Sequence, residues 1–158
     1  MSVPRWNKGS EVVERLLESG HLQRVPADEA TVEALLAQLA ATSRRRQPLP
    51  QAIQRAHMPS AYDAARKTAT ALLAHQGLRP TTTGGHIVLV DSVTAQFPNV
   101  PGLKSIDRMR RRRNQSEYPE PSTYDPVTTE EADDAVAVAS ECVSTATRLI
   151  EAPQLGVF

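Results

Sequence analysis

The stretch DRMRRRRNQSEYP, residues 107–119, holds the densest reactive side chains of this chain: five arginines within six positions, then an asparagine, an acid, a tyrosine and a proline. On a helix, successive residues step by about 100° around the axis. Arg108, Arg110, Arg111, Arg112 and Arg113 therefore cannot share one face. Arg110 and Arg113 neighbour each other three positions apart, and Arg108 and Arg112 neighbour each other on another side. Arginine offers paired donors in a fixed fork and keeps its charge at any ordinary pH, which suits phosphate oxygens. A solvated helix end is the competing reading of the same run.

The other candidates carry less. The TTTGG turn at residues 81–85 lacks the lysine and the spacing of a phosphate-cradling loop and reads as a flexible connection. His21, His57, His75 and His86 show no metal-ligand spacing and read as surface or helix-end groups. Cys142 is the sole cysteine, so an intramolecular disulfide and a cysteine-based zinc site are excluded, and it reads as a small buried hydrophobe. No metal and no cofactor is expected.

The elements that must position the arginines read as helices. Residues 10–19 form an amphipathic turn set, with Ser10 expected as its cap and Gly20 as its end. A second helix follows Pro26, led by Asp28 and Glu29, with Val32, Leu35, Leu36 and Leu39 on one stripe as far as Ser43. Arg44–Arg46, Pro48 and Pro50 mark a linker. A third helix is expected from about Pro59 or Ser60, with Tyr62, Ala65, Ala69, Leu72 and Leu73 as its core face and Gly77 with Pro80 as its stop. HIVLVDSVTAQF, residues 86–97, mixes strand-like composition with helical spacing and is read as helix. Leu103, Ile106 and Met109 form the apolar stripe of the arginine helix, which Pro119 closes. Arg113 lies near the extension of that stripe, so its guanidinium is expected to point into a cleft or interface. The last helix opens on a Thr128–Glu131 capping-box pattern and keeps Ala132, Ala135, Ala139, Cys142, Val143, Ala146, Leu149 and Ile150 on one face. The expectation is one all-α domain over residues 1–158, with a helical pair and linker in 1–50 and a bundle core in 51–158.

Composition agrees with this. The chain is 40% apolar but only 4% aromatic, so its core must be aliphatic and small, which favours closely packed helices. The 18 basic and 18 acidic side chains balance, yet they are unevenly spread. Lys104, Arg108 and Arg110–Arg113 face only Asp107 in sequence, whereas residues 117–134 carry seven acids and no base. That split implies a local anion-binding surface on a chain without general basic character. No apolar run approaches the roughly 18 residues of a membrane span, no signal-peptide pattern leads the chain, and a cytoplasmic location is expected.

Three stretches taken together resemble HEPN-domain proteins, a helical family of ribonuclease toxins, phage-defence proteins and inactive relatives. They are AYDAARKTATALLAHQGLRP (61–80), GGHIVLVDSVTAQF (84–97) and RMRRRRNQSEYP (108–119). They are similar to a bacterial subgroup with an Ala-Arg-Lys helix, a Gly-Leu-Arg-Pro turn, a Gly-Gly-His helix start and an Arg-Asn…Glu-Tyr-Pro helix end, a likeness spanning about residues 30–150. The resemblance implies an antiparallel four-helix bundle, commonly a homodimer, with an Arg-x4–6-His motif at the dimer cleft acting on RNA. It implies a toxin–antitoxin or defence role, a nucleotidyltransferase-type antitoxin as one possible partner, and no metal. The alternative within the family is a non-catalytic module that binds RNA, a nucleotide or a protein.

Carried over by residue, Arg113 and Asn114 match the Arg-Asn start, Tyr118 falls where the histidine belongs, and Glu117 precedes it. A second register, from Arg111 through Ser116 to Tyr118, lacks its histidine too. A tyrosine of ordinary pKa, about 10, is phenolate in only about one molecule in a thousand at neutral pH. Arg113 and Tyr118 also lie about 140° apart on an ideal helix. They converge on one substrate only where the helix end unwinds or a partner protomer contributes. Neighbouring arginines acting on Tyr118, or His86 or His75 folded into the cleft, are the two routes by which proton transfer is restored.

Overall fold

The computed structural model describes residues 5–43, 57–82, 85–118, 120–122 and 125–158. Among these lie helices α1 (Ser10–Glu18), α2 (Glu29–Ser43), α3 (His57–His75), α4 (Gly85–Gln96), α5 (Pro101–Lys104), α6 (Ile106–Glu117) and α7 (Thr129–Glu151). Two short strands, β1 (Leu22–Arg24) and β2 (Leu78–Pro80), pair antiparallel with Gln23 opposite Arg79.

Helix α3 is the hub. It packs against α2, α4, α5, α6 and α7 and leads into β2. Ala61, Tyr62, Ala65, Ala69, Leu72 and Leu73 recur at helical spacing and are all buried. Helix α7 answers with Ala132, Ala135, Ala139, Cys142 and Ala146, likewise buried. Alanine on both surfaces lets the two backbones approach closely, so much of the contact is dispersion between main chains and methyl groups. Thr68, wholly buried on α3, returns its hydroxyl to the Ala64 carbonyl at 2.8 Å and leaves no unpaired donor. The helical reading of residues 86–97 holds: Val88, Leu89, Ser92, Val93 and Gln96 line the inner side of α4.

The α7 cap matches its sequence signature. The Thr128 hydroxyl accepts from the Glu131 N–H at 3.1 Å, and the Glu131 carboxylate accepts from the Thr128 N–H at 3.0 Å. Asp28 accepts in the same manner from the Thr31 N–H at 3.0 Å at the start of α2. Val32 and Leu39 of that helix are buried, whereas Leu35 and Leu36 are only half-buried.

Four features differ from the sequence expectation. Ser10 does not cap α1: Gly9 does, at φ 68°, without a side-chain bond. The reason is steric, because a Cβ at Gly9 would lie 2.6 Å from the Ala95 carbonyl carbon of α4. The otherwise helical bundle carries the β1–β2 ribbon, whose three-residue strands are too short for alternation to be visible. Helix α3 begins earlier, at His57. The Leu103–Ile106–Met109 stripe is buried as expected but spans two helices separated at Ser105. Helix α5 follows α7, onto which Gly102 is pressed, while α6 packs along α3. The linker arginines Arg44–Arg46, Thr83 and Gly84 of the turn, and Pro119 lie outside the described residues.

Candidate functional site

Four helices meet around a cavity of about 680 Å³. Gln38 and Leu39 of α2, Ser60, Tyr62, Asp63, Ala64, Arg66 and Lys67 of α3, His86 of α4 and Arg113 of α6 line it. That volume lies in the range of small-ligand pockets. Three permanent cations face one carboxylate, so the cavity is electropositive although the chain is neutral overall.

The apolar stripe of α6 explains how Arg113 arrives there. Ile106 and Met109 are buried against the bundle, and Arg113 continues their side of the helix toward α3. Its guanidinium carbon stands 5.4 Å from the Tyr62 ring centroid, and Nη2 contacts the Glu117 carboxylate at 3.0 Å. On α3, Asp63 binds Arg66 at 2.7 Å and Lys67 at 2.9 Å, which holds both cations over the same turn. Partial burial opposes ionisation of Asp63, but the hydrogen bonds from Arg66 and Lys67 prevail and keep its carboxyl below the usual range.

Tyr62 and His86 complete the wall. The Tyr62 hydroxyl lies 2.9 Å from His86 Nδ1. The Tyr62 body is buried, 3% exposed, whereas His86 stands open to solvent in the first turn of α4. Burial raises the Tyr62 pKa, with Arg66, Arg113 and Arg110 opposing, so the group stays a neutral phenol at neutral pH. Partial burial and then the charges of Arg66, Arg110 and Arg113 lower the His86 pKa below its ordinary value. Both effects favour the neutral imidazole over the imidazolium.

The remaining motif residues go elsewhere. Arg110 bonds Asp107 at 3.1 Å, close enough for its charge to act on Tyr62 and His86. Arg111 is largely exposed and pairs with the same carboxylate at 2.5 Å. Arg112 ties α6 to the start of α7, with Nε to Glu131 at 3.0 Å and Nη1 to the Asp125 carbonyl at 2.9 Å. Arg108 and Asn114 are exposed, and the Asn114 carbonyl accepts from the Tyr118 N–H at 2.9 Å. Tyr118 itself is 77% exposed at the end of α6 and does not line the cavity. His75 lies apart, bonded to the Leu155 carbonyl at 3.0 Å.

Sequence reasoning thus placed Arg113 in a cleft and raised His86 as a candidate, but took Tyr62 for core alone and gave Arg66 and Lys67 no role. The available signal was their spacing. Tyr62 and Arg66, and Asp63 and Lys67, are each four residues apart on one helix, so two successive turns present all four groups on one side. Among the described residues, no three His, Cys, Asp or Glu side chains gather to hold a metal ion, and no helix is long and apolar enough to cross a membrane.

Compared with known proteins, residues 54–150 match the family model of the HEPN domain, more than half of the chain. No curated protein and no solved structure matches.

Proposed function

Since the chain belongs to the HEPN-domain family, we propose that it is an RNA-directed protein and that an RNA phosphate binds in the cavity at Arg113. The observation that carries this reading is the meeting of Arg113 from the motif helix with Arg66 and Lys67 from α3 in one space. Arg113 and Arg66 present forked donors and Lys67 a mobile ammonium, a set suited to the non-bridging oxygens of a phosphodiester. His86 and Ser60, both of its lining, are exposed to solvent, which supports access by a strand from outside.

The wider reading is of one cytoplasmic domain that acts as a homodimer in a toxin–antitoxin or defence module, a nucleotidyltransferase-type protein being the partner expected of a toxin. A free nucleotide would satisfy the same cations, and single-stranded RNA against mononucleotide competition separates the two ligands. Fluorescence anisotropy with a labelled RNA oligomer is the direct test. Arg113→Ala and Arg66→Ala should each weaken binding, and each should reduce the slope of log affinity against log salt by about one. Undiminished binding in both variants would remove the cavity from the reading.

A further inference from the structure

We infer that His86 is the general base of this cavity and Tyr62 its positioning residue, so that the protein cleaves RNA with a histidine supplied by α4 in place of the one missing from the arginine helix. The inference rests on the RNA-binding reading above and adds chemistry to it.

The geometry leads there in three steps. His86 and Arg113 come from different helices yet line one cavity, whereas Tyr118, at the motif's histidine position, is exposed outside it. The imidazole is oriented through one nitrogen only: Nδ1 lies 2.9 Å from the Tyr62 hydroxyl, and among the described residues no hydrogen bond to Nε2 is found. In the tautomer whose Nδ1–H donates to the Tyr62 oxygen, the Nε2 lone pair is free to take a proton. Finally, every titratable or charged group acting on the ring favours the neutral form or is itself neutral. The charges of Arg66 from α3 and of Arg110 and Arg113 from α6 act on it, and Tyr62 stays a phenol. The carboxylate lining the cavity, Asp63, is already bound by Arg66 and Lys67. The first turn of α4 adds the positive end of a helix dipole, which also disfavours imidazolium.

A neutral base beside phosphate-binding cations suits a substrate that carries its own nucleophile. RNA does, since a 2′-hydroxyl adjoins each phosphodiester. The 2′-hydroxyl gives its proton to His86 Nε2 as its oxygen attacks phosphorus. The bond from phosphorus to the 5′-oxygen breaks, and the departing oxygen takes a proton from water. The products are a 2′,3′-cyclic phosphate and a 5′-hydroxyl end, and His86 returns its proton to solvent. Arg113, Arg66 and Lys67 neutralise the charge that builds on the non-bridging oxygens. Tyr62 touches no reacting atom: it fixes the ring.

The test is single-turnover cleavage of a single-stranded RNA oligomer by the purified full chain, with product ends identified and binding measured in parallel. His86→Gln should lose about 10²–10⁴-fold in cleavage rate while RNA affinity is kept. It should also abolish the acid limb of the pH–rate profile. Tyr62→Phe should leave a slower enzyme whose acid limb has moved, a readout that a purely structural tyrosine would not shift. Tyr118→Phe should cleave like the wild type. A wild type that binds RNA through Arg113 and leaves it intact overturns this inference while the binding reading stands; a wild type that binds no RNA overturns both. Cleavage unchanged in His86→Gln, or lost in Tyr118→Phe, places the base elsewhere. Since His86 is solvent-exposed, His86→Gln is expected to melt with the wild type, and His86→Asn gives a second variant should it not.

Discussion

The Arg113 guanidinium lies over the Tyr62 ring, 5.4 Å from its centroid, while Glu117 on the next turn of the same helix holds one of its nitrogens at 3.0 Å. The first contact orients the cation toward the cavity. The second competes with any phosphate that enters. Glu117→Gln removes the competing charge and leaves the stacking. An ion pair this exposed is worth about 0.2–1 kcal/mol, so RNA binding should tighten by about 1.4- to fivefold in that variant. Anisotropy titration at low salt decides it, and weaker binding would mean that Glu117 orients Arg113 productively instead of competing for it.

Arg112 has the opposite fate. It and the cap of α7 share one carboxylate, because Glu131 accepts from both Arg112 and the Thr128 N–H. Those hydrogen bonds, that of Arg112 foremost, hold the Glu131 pKa below 4.5. The sign follows from linkage: the folded state binds the proton more weakly than the unfolded chain does. The stabilisation is therefore present above the ordinary carboxylate range and lost as pH falls through the folded value. Glu131→Gln keeps the cap, because a glutamine side-chain oxygen also accepts from the Thr128 N–H, but loses the charge shared with Arg112, and should lower stability by about 0.2–1 kcal/mol at neutral pH for a pair whose carboxylate is this exposed. The difference in Tm from wild type should close as pH falls below the ordinary carboxylate range, through the lowered Glu131 value. A gap that persists at acid pH would assign the loss to packing and not to charge.

A tighter relationship fixes α5. An added Cβ at Gly102 would stand 2.5 Å from Cys142 Sγ and 3.2 Å from the Val138 carbonyl oxygen. Gly102→Ala should therefore destabilise by about 1–3 kcal/mol through overpacking. Cys142→Ala removes the sulfur and should relieve part of that cost, so the double variant in urea unfolding falls short of additivity. Strict additivity would show that the backbone of α7, and not the thiol, is the obstacle. The wild-type thiol should also resist alkylation in the native state, since burial first and Glu141 second push its pKa up to about 12.

What the sequence made legible follows from periodicity. Apolar residues three and four apart specify α3 and α7 and even the helical state of residues 86–97, because a buried face leaves the same imprint wherever the helix lies. The turn at Gly77 and the Thr128–Glu131 cap are local signatures and were equally visible. The direction of Arg113 was legible because it continues a buried stripe. The partners of Arg113 were not: Tyr62 reads as core because its ring is core, and only the fold brings its hydroxyl to a histidine 24 residues on. Nor does a five-arginine run reveal which member is committed. Arg112 is taken by Glu131, nineteen positions away and across a loop.

One buried polar pair was also invisible in the sequence. Gln76, following α3, and Gln96, closing α4, are almost wholly inaccessible, and Gln76 Nε2 donates to Gln96 Oε1 at 2.6 Å. The other halves of both amides, Gln76 Oε1 and Gln96 Nε2, have no partner among the described residues. Each amide is thus only partly compensated for leaving water. Gln76→Met or Gln96→Met alone strands the remaining amide and should cost about 1–3 kcal/mol. Replacing both with methionine removes the polar groups together at similar volume and should be nearly neutral or stabilising. The double-mutant cycle in urea is the measurement. A double variant as costly as the two singles combined would mean that each amide has a separate partner, such as a trapped water, and that the pair does not hold α3 to α4 through its shared hydrogen bond.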